Sequence, residues 1–250
     1  MGKKTNPISN RLGVIFEWQS IWYGDYAKRI AEDYKIRKYI YSIYFNYYVI
    51  SRIYIERTLR FITIIITTSR PALLIGKKGD ELEKLKNGIR KIIHKDIKDI
   101  KINIFEIKKP FIDSPLVAKN LVKQLKTKMS YKKSIKKALY YAMKYNVNGI
   151  KIQISGRLNG SEMSRTESYK EGSISLSTFR GNIDYYFTET TTNYGRVGIK
   201  VWIKKGEIYN KNKELITISK YDHFIKGKVK GKRKFIKYYN KNKYVKTKKN

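Results

Sequence analysis

The chain has 250 residues and carries 56 Lys and Arg against 20 Asp and Glu, which gives a formal net charge of +36. Solubility does not require such an excess, and repulsion among the charges disfavours a compact state, so the composition indicates a polyanionic partner. There is no cysteine, and His94 and His223 are the only histidines. The absence of cysteine excludes disulfides and thiolate sites. Two histidines far apart in sequence make a histidine-based metal site or a Ser-His-Asp triad improbable. We therefore expect no enzyme and no cofactor.

The N-terminal sequence predicts neither a secretory signal nor a lipid anchor. Residues 1–7 lack an apolar stretch of signal-peptide length, and Asn6 stands where a myristoylation signal has Ser or Thr. The most apolar run, residues 61–66, is far too short to span a bilayer. We therefore expect a soluble, intracellular protein without membrane contact.

Residues 1–23 mix basic and aromatic side chains and contain turn-forming steps, which predicts an extended arm rather than a packed element. Lys3 and Lys4 are its candidate RNA contacts, because basic arms with aromatic rings can lie along RNA. Trp18 and Trp22 have two open interpretations: they stack on RNA, or they pack on the first domain.

From residue 25 to residue 107 the pattern changes between helix and strand. The apolar stripe predicted for the first helix consists of Ala27, Ile30, Ala31 and Tyr34. Two β-branched segments, residues 52–57 and 63–67, predict antiparallel strands, and Pro71 ends the second of them. Apolar residues at spacings of three and four then predict a helix from Asp80, and residues 100–107 alternate as a third strand.

A turn of the form Gly-x-x-Gly precedes the helix that starts at Asp80. It consists of Gly76, Lys77, Lys78 and Gly79. The glycines let the backbone come close to a partner and the lysines add positive charge, so the turn predicts contact with a nucleic-acid backbone. The order helix, strand, strand, short helix, turn, helix, strand resembles a type II KH domain, an RNA-binding module. A second glycine pair, Gly195 and Gly198, lies between predicted strands and is interpreted as part of a hairpin.

A second domain begins after the break at residues 108–110. Its predicted helices cover residues 114–129 and 131–145, and a polar connection covers residues 158–167. The predicted strands are residues 149–157, 183–188 and 197–203. Two helices on one side of a mainly antiparallel sheet make this an α+β domain.

The second of these helices carries lysines at four positions that share one side. They are Lys132, Lys133, Lys136 and Lys137. These like charges repel one another by a few tenths of a kcal/mol per pair, about 0.2 to 0.5, and no acidic residue on the helix offsets them. A solvated face normally mixes signs, so we favour phosphate contact over solvation for this basic face.

Several separate segments together resemble the S-three family of bacterial small-subunit ribosomal proteins. They are residues 1–7 with 11–13, the KH segment, residues 155–172 and residues 194–207. The resemblance covers residues 1–208 and implies an arm (1–23), a type II KH domain (24–108) and a C-terminal α+β ribosomal domain (109–208). The lysine-rich tail (209–250) lies outside it, and its composition predicts disorder in the free protein.

The resemblance implies a structural protein of the small-subunit head in a cytoplasmic ribosome, with an organellar ribosome left open. Its partners would be small-subunit rRNA, messenger RNA and the neighbouring head proteins S-ten and S-fourteen. Arg157 and Arg165 lie in the matching segments and are further candidate RNA contacts. The family's basic cluster that helps to unwind messenger RNA corresponds to Lys132, Lys133 and Lys136.

At the first two of these positions lysine replaces the family's usual arginine, so the charge is kept and the planar bidentate fork is lost.

Two other functional classes stay open at this point. A free-standing KH regulator acting on many RNAs would share the glycine turn but would not need the second domain. A nucleic-acid-cleaving enzyme has candidate acids in Asp184 and Glu189, although no cluster of metal ligands accompanies them.

Overall fold

The computed structural model describes residues 4–44, 49–58, 61–93, 99–127 and 129–209. The predicted RNA contact Lys3 and the tail from residue 210 onward lie outside the described residues. Within the described ranges, no helix has the length and apolar character needed to cross a membrane.

The N-terminal domain has the predicted order of elements, preceded by a two-residue strand in the arm that was not predicted. They are β1 (Ser20–Ile21), α1 (Tyr26–Ile43), β2 (Ile50–Arg57), β3 (Phe61–Thr68), α2 (Pro71–Ile75), α3 (Asp80–Ile92) and β4 (Asp99–Glu106). The strands form one sheet in the order β1-β2-β3-β4. As predicted, β2 and β3 are antiparallel, while β1 and β4 run parallel to their neighbours.

Isoleucines at alternate positions of β2 and β3 make the core of this domain. Ile53, Ile55 and Ile64 are fully buried, and Ile36 and Ile40 of α1 belong to the same cluster. Alternation places every second side chain on one face of a strand, and β-branched residues pack well there. Burying each such side chain contributes roughly 1.5 to 3 kcal/mol.

The apolar stripe predicted for α1 is wrong. Its members are all exposed: Ala27, Ile30, Ala31 and Tyr34. The buried face instead includes Glu32 and Asp33, whose carboxylates pair with the Arg57 guanidinium of β2. Arg57 lies 24 residues from Asp33 in sequence, so no local period indicates that these acids would be buried as ion pairs.

The C-terminal domain is the predicted pair of helices on one face of an antiparallel sheet. Its elements are α4 (Ser114–Lys126), α5 (Tyr131–Lys144), β5 (Gly149–Gly156), β6 (Arg165–Gly172), β7 (Gly181–Thr192) and β8 (Gly195–Glu207). The sheet order is β6-β5-β8-β7. Its core joins apolar residues of α4 and α5 to the inward isoleucines of β5 and to those of β8.

Two details of this sheet bear on the predictions. Gly195 follows a two-residue loop between β7 and β8, so its assignment to a hairpin is confirmed. The connection predicted for residues 158–167 is too long, because Arg165 already pairs with Gly156 and begins β6. β6 is an edge strand with polar residues on both faces, so it lacks the alternation of apolar and polar residues that identifies a strand in sequence.

The N-terminal arm is packed around Arg11, contrary to the prediction of an unpacked segment. The Arg11 side chain is fully buried, and it donates to the carbonyl oxygens of Pro7, Leu176, Thr178 and Gly181 at 2.8 to 3.0 Å. A guanidinium offers five donors, so one side chain satisfies several carbonyl groups that have no partner in a sheet. Arg11 therefore fixes the arm to the segment that leads into β7.

The two arm tryptophans have different surroundings. Trp22 is partly buried, and its Nε1 donates to Asp33 Oδ2 at 3.0 Å. Trp18 is 68% exposed. Packing on the first domain therefore holds for Trp22, and stacking of Trp18 on RNA stays a prediction.

A buried ion cluster joins the two domains. Arg52 of β2 and Lys205 of β8 both pair with the carboxylate of Asp184, which also accepts from the Ser114 backbone N–H at 3.1 Å. Burial acts to raise the pKa of Asp184, but these cations and the hydrogen bond outweigh it and hold the pKa well below its ordinary value. Burial and the charge of Asp184 raise the pKa of neighbouring Asp113.

Candidate nucleic-acid interface

Both glycines of the turn have positive φ angles. Gly76 ends α2 at a φ of 71°, and Gly79 precedes α3 at a φ of 95°. Lys78 also lies in the left-handed region, at a φ of 55°, which is uncommon for a residue other than glycine. Lys77 and Lys78 are both exposed, so the turn presents two ammonium groups to solvent.

The surroundings of this turn reduce its positive potential. Asp80, Glu81 and Glu83 occupy the first turn of α3, where carboxylates complement the helix dipole. Glu81 also pairs with Lys84 at 3.0 Å; the Lys84 side chain is exposed and that of Glu81 is partly exposed. Three carboxylates beside two lysines leave little net charge for phosphate, so the turn identifies the fold more clearly than it identifies the principal RNA contact.

The turn provides a stability prediction. A Cβ at Gly76 would lie 2.6 Å from Glu81 Cγ and 2.9 Å from Glu81 Cβ, whereas a Cβ at Gly79 would meet nothing within 4 Å. Gly79, at a φ of 95° and a ψ of 4°, lies in the left-handed region, where a side chain costs about 1 to 2 kcal/mol. Gly76, at a φ of 71° and a ψ of −174°, lies in a region that essentially only glycine adopts. We therefore expect G76A to lower the free energy of unfolding by about 1 kcal/mol more than G79A, because overpacking adds to the strain. Urea denaturation of both variants measures this, and equal losses would contradict it.

The basic face of α5 is fully presented to solvent. Its four lysines, Lys132, Lys133, Lys136 and Lys137, are exposed. The opposite side of the helix buries Tyr131, Ile135 and Leu139 against the sheet. The helix contains no acidic residue, so its apolar side fixes the rotation of α5 and its lysines point outward together.

A polar network connects the start of α5 to β6. Glu167 accepts hydrogen bonds from the hydroxyls of Tyr131 at 3.1 Å and Tyr169 at 2.9 Å, and Arg165 pairs with the same carboxylate at 3.2 Å. Burial acts to raise the pKa of Glu167, but the hydrogen bonds from both tyrosines outweigh it and lower the pKa. The ionised carboxylate thus holds Tyr131, the first residue of α5, in place next to Lys132.

Arg157 and Arg165 lie at the same end of the β5–β6 pair. Arg165 is opposite Gly156 in the strand register, and Arg157 follows Gly156 directly. Arg157 donates to the Ser161 carbonyl oxygen at 2.9 Å and is exposed. Since Arg165 also donates to the Tyr131 hydroxyl at 3.2 Å, it lies beside the start of the basic face.

The structure therefore groups some predicted contacts and separates others. Arg165 is joined to the start of α5 by the Tyr131 network. The glycine turn belongs to the N-terminal domain, between α2 and α3. Lys4 lies near Lys151 of β5, in a part of the C-terminal domain that the sequence prediction did not consider.

The sequence analysis did not identify Lys119 as an interdomain contact, because its partners are distant in sequence. Lys119 of α4 donates to the Ile50 carbonyl oxygen at 2.6 Å and lies 4.8 Å from the Tyr41 ring. Burial lowers the pKa of Lys119 to about 8, although Asp113 acts to raise it. Lys119 thus joins α4 to the N-terminal domain, and no local sequence signal distinguishes it from Lys123 and Lys126 of the same helix.

The two acids considered for catalysis are engaged in ion pairs. Asp184 belongs to the interdomain ion cluster, and Glu189 lies 3.9 Å from Arg196. In the part of the chain that the structure describes, no group of three or more His, Cys, Asp or Glu residues could hold a metal ion.

Comparisons with protein families match both domains. A KH domain model matches residues 35–111. The model described as "Ribosomal protein S3, C-terminal domain" matches residues 121–203. The matches follow the same order along the chain as the two domains of the structure, so the predicted α+β architecture of a KH domain followed by a C-terminal ribosomal domain is confirmed.

Curated relatives match along most of their length. The chain is 56% identical over 220 residues to the small ribosomal subunit protein uS3 of Karelsulcia muelleri, covering 88% of this chain and 95% of that protein. It is 52% identical over 213 residues to the uS3 of Flavobacterium psychrophilum, covering 84% and 83%. The uS3 of Bacteroides thetaiotaomicron is 50% identical over 217 residues, covering 86% and 87%. The chain therefore belongs to the uS3 family of small ribosomal subunit proteins, and is a structural ribosomal protein rather than an enzyme.

Proposed function

We propose that this chain is a structural constituent of the small-subunit head that binds small-subunit rRNA and lines the entrance of the messenger-RNA channel. There the basic face of α5 guides messenger RNA and helps to unwind it during translation. The proposal divides the chain into the arm (1–23), the KH domain (24–108), the C-terminal domain (109–208) and the tail (209–250).

The observation that carries the proposal is the acid-free, exposed basic face. Lysines neutralise phosphates and release counterions, and this attraction does not depend on base sequence. A channel that passes every messenger needs such sequence-independent contact. Lys132, Lys133 and Lys136 supply this sequence-independent contact. The other side of their helix is buried, so the charges are held in a fixed position, and a messenger duplex that is pulled past them can be separated there.

Binding to rRNA needs more than charge. Non-specific electrostatic binding gives dissociation constants of roughly 10⁻⁴ to 10⁻⁶ M at physiological salt, too weak for permanent residence in a subunit. The candidate contacts at the glycine turn and at Arg157 lie on two domains that the interdomain ion cluster fixes together, and Lys4 lies on the arm, which Arg11 fixes to the C-terminal domain. A rigid two-domain body can recognise the shape of a folded RNA, which supplies the remaining affinity.

The exposed side of α1 is a surface for a neighbouring head protein, S-ten or S-fourteen. Tyr26 is 72% exposed and Tyr34 is 64% exposed, with Ile30 between them, and Tyr23 just before the helix is 99% exposed. Tyrosine is enriched in the energetically important centres of protein interfaces, so these exposed rings are candidate contacts for a protein partner.

The proposal predicts where messenger RNA touches α5. With a photoreactive amino acid in place of Lys136, we expect illumination of programmed ribosomes to crosslink the protein to messenger nucleotides downstream of the decoding site. The same amino acid in place of Lys109, an exposed lysine before α4, is the control and should give no messenger crosslink. Crosslinks from position 136 to rRNA or protein alone would contradict the proposed role.

A further inference from the structure

The outer face of the C-terminal sheet, opposite α4 and α5, carries an ordered set of cations and aromatic rings. The strand register aligns Lys170 of β6 with Lys151 of β5, Lys151 with Trp202 of β8, and Trp202 with Tyr185 of β7. The next row consists of Ser168, Gln153, Lys200 and Phe187. Side chains alternate between the two faces of a strand, so all of these lie on the side away from the helices.

The lysines of this face lie close together. Lys151 and Lys170 are directly opposite each other, an arrangement that destabilises a sheet when both residues have the same charge. Burial lowers the pKa of Lys151, and the nearby charges of Lys4 and Lys170 lower it further. Among the described residues, no carboxylate forms an ion pair with Lys4, Lys151 or Lys170. The free protein therefore sustains a repulsion that a bound anion would relieve.

The acids at the border of this face are already paired. Glu189 lies 3.9 Å from Arg196 at one end of the β7–β8 hairpin. At the other end Glu207 pairs with Lys204 at 2.9 Å and with Arg180 at 3.0 Å. These acids do not neutralise the central lysines, so the face as a whole is positive.

The aromatic rings of this face differ in accessibility. Trp202 is buried, with the Lys151 ammonium 5.4 Å above its ring and Tyr185 at 5.3 Å. Phe187 is 44% exposed, and the Lys200 ammonium lies 5.9 Å from its ring. Trp202 therefore holds Lys151 in position, while Phe187 keeps a ring surface to which another planar group can be added.

We propose that this outer face is a second RNA-binding surface, on which Lys4, Lys151 and Lys170 contact phosphates and Phe187 stacks on an unpaired base. The inference rests on the proposed function, since the RNA would be a segment of the small-subunit rRNA. It adds a binding surface distinct from the basic face of α5, which lies on the opposite side of the sheet.

Charge and ring placement together favour RNA over an acidic protein segment. Phe187 and Lys151 lie on strands two spacings apart, about 10 Å across the sheet. One strand of RNA offers a negative phosphate and a flat base in each nucleotide, so it can satisfy the cations and the ring at the same time. Stacking of a base on an aromatic side chain is worth about 1 to 3 kcal/mol and does not depend on base identity.

The first test is the salt dependence of binding between the purified full chain and small-subunit rRNA. Each lost phosphate contact reduces the slope of log K against log salt by about 0.7 to 0.9, so the double variant K151Q/K170Q should reduce it by about 1.4 to 1.8. The control K108Q/K109Q removes the same charge from exposed lysines and should leave the slope unchanged. The thermal midpoint of K151Q/K170Q should equal or exceed that of the wild type, because a repulsion is removed.

The second test uses Phe187. Irradiation of assembled small subunits at 254 nm should crosslink the peptide containing Phe187 to rRNA, and F187L should abolish that crosslink while preserving apolar packing. An unchanged salt slope in K151Q/K170Q, or a crosslink to another protein in place of RNA, would overturn the inference. Failure of the wild-type chain to enter small subunits would instead refute the proposed function, so the two failures are distinguishable.

Discussion

Replacing Lys132, Lys133 and Lys136 by alanine should slow translation through a stable messenger hairpin while small subunits still assemble. The three lysines are exposed, so their loss removes phosphate contacts and leaves the buried side of α5 intact. We expect the rate of passage through the hairpin to fall about threefold to tenfold, equivalent to about 0.6 to 1.4 kcal/mol in the barrier. An unstructured messenger should be translated at the wild-type rate.

The measurement is the time taken by reconstituted ribosomes to cross a hairpin placed at the channel entrance. Alanine favours helix and the substitutions remove like-charge repulsion, so α5 should be at least as stable in the variant. The control K91A/K108A/K109A removes the same charge from exposed positions outside α5. Equal passage times for wild type and variant would refute the role of the basic face, and equal slowing in the control would indicate a general effect of net charge.

Local sequence patterns predicted the elements and their order correctly wherever apolar periodicity determines burial. The alternating isoleucines of β2 and β3 and the stripe of α5 have this property, because each buries one face against a neighbouring layer. The glycine turn was predicted from its glycine spacing and its position between two helices, and Gly76 and Gly79 both adopt positive φ angles that few other residues adopt.

The errors arise where a charged side chain is buried by a distant partner. On α1 the carboxylates of Glu32 and Asp33 occupy positions that periodicity assigns to solvent, because Arg57 from β2 pairs with them. Arg11 is similar, since its four carbonyl acceptors include three that lie more than 160 residues away. Such contacts depend on how segments that are distant in sequence pack together, and that information is absent from any local window of sequence.

The candidate interface was likewise only partly predictable from the sequence. The lysines of α5 share one side of a helix and were visible from spacing alone. The lysines of the outer sheet face were not singled out, since Lys151, Lys170 and Lys200 lie on three different strands and only the register β6-β5-β8 brings them together. The surface of a sheet combines residues from separate segments of the chain, whereas all residues of a helix face come from one continuous segment.

Replacing Asp184 by asparagine should lower the free energy of unfolding by about 3 to 5 kcal/mol, the usual cost of removing one partner of a buried ion pair. Asp184 is only 3% exposed, and its loss removes the carboxylate with which Arg52 and Lys205 both pair. Urea denaturation of the full chain at neutral pH measures the effect. The matched control is D25N, since Asp25 pairs with Lys28 at 2.9 Å but both side chains are at least 70% exposed, and such pairs contribute about 0 to 1 kcal/mol.

The pH dependence provides a second check on the same residue. The pKa of Asp184 is depressed in the folded state, so its stabilising contribution is complete above the unfolded value of about 3.9 and is lost as the pH falls through the folded value. The difference between wild type and D184N should therefore be constant near neutral pH and should shrink below about pH 4. A D184N loss no larger than that of D25N would mean that the two domains are held together without the ion cluster. The fixed spacing between the KH domain and the basic face of α5 would then depend on other contacts between the domains, such as the hydrogen bond from Lys119 to the Ile50 carbonyl oxygen.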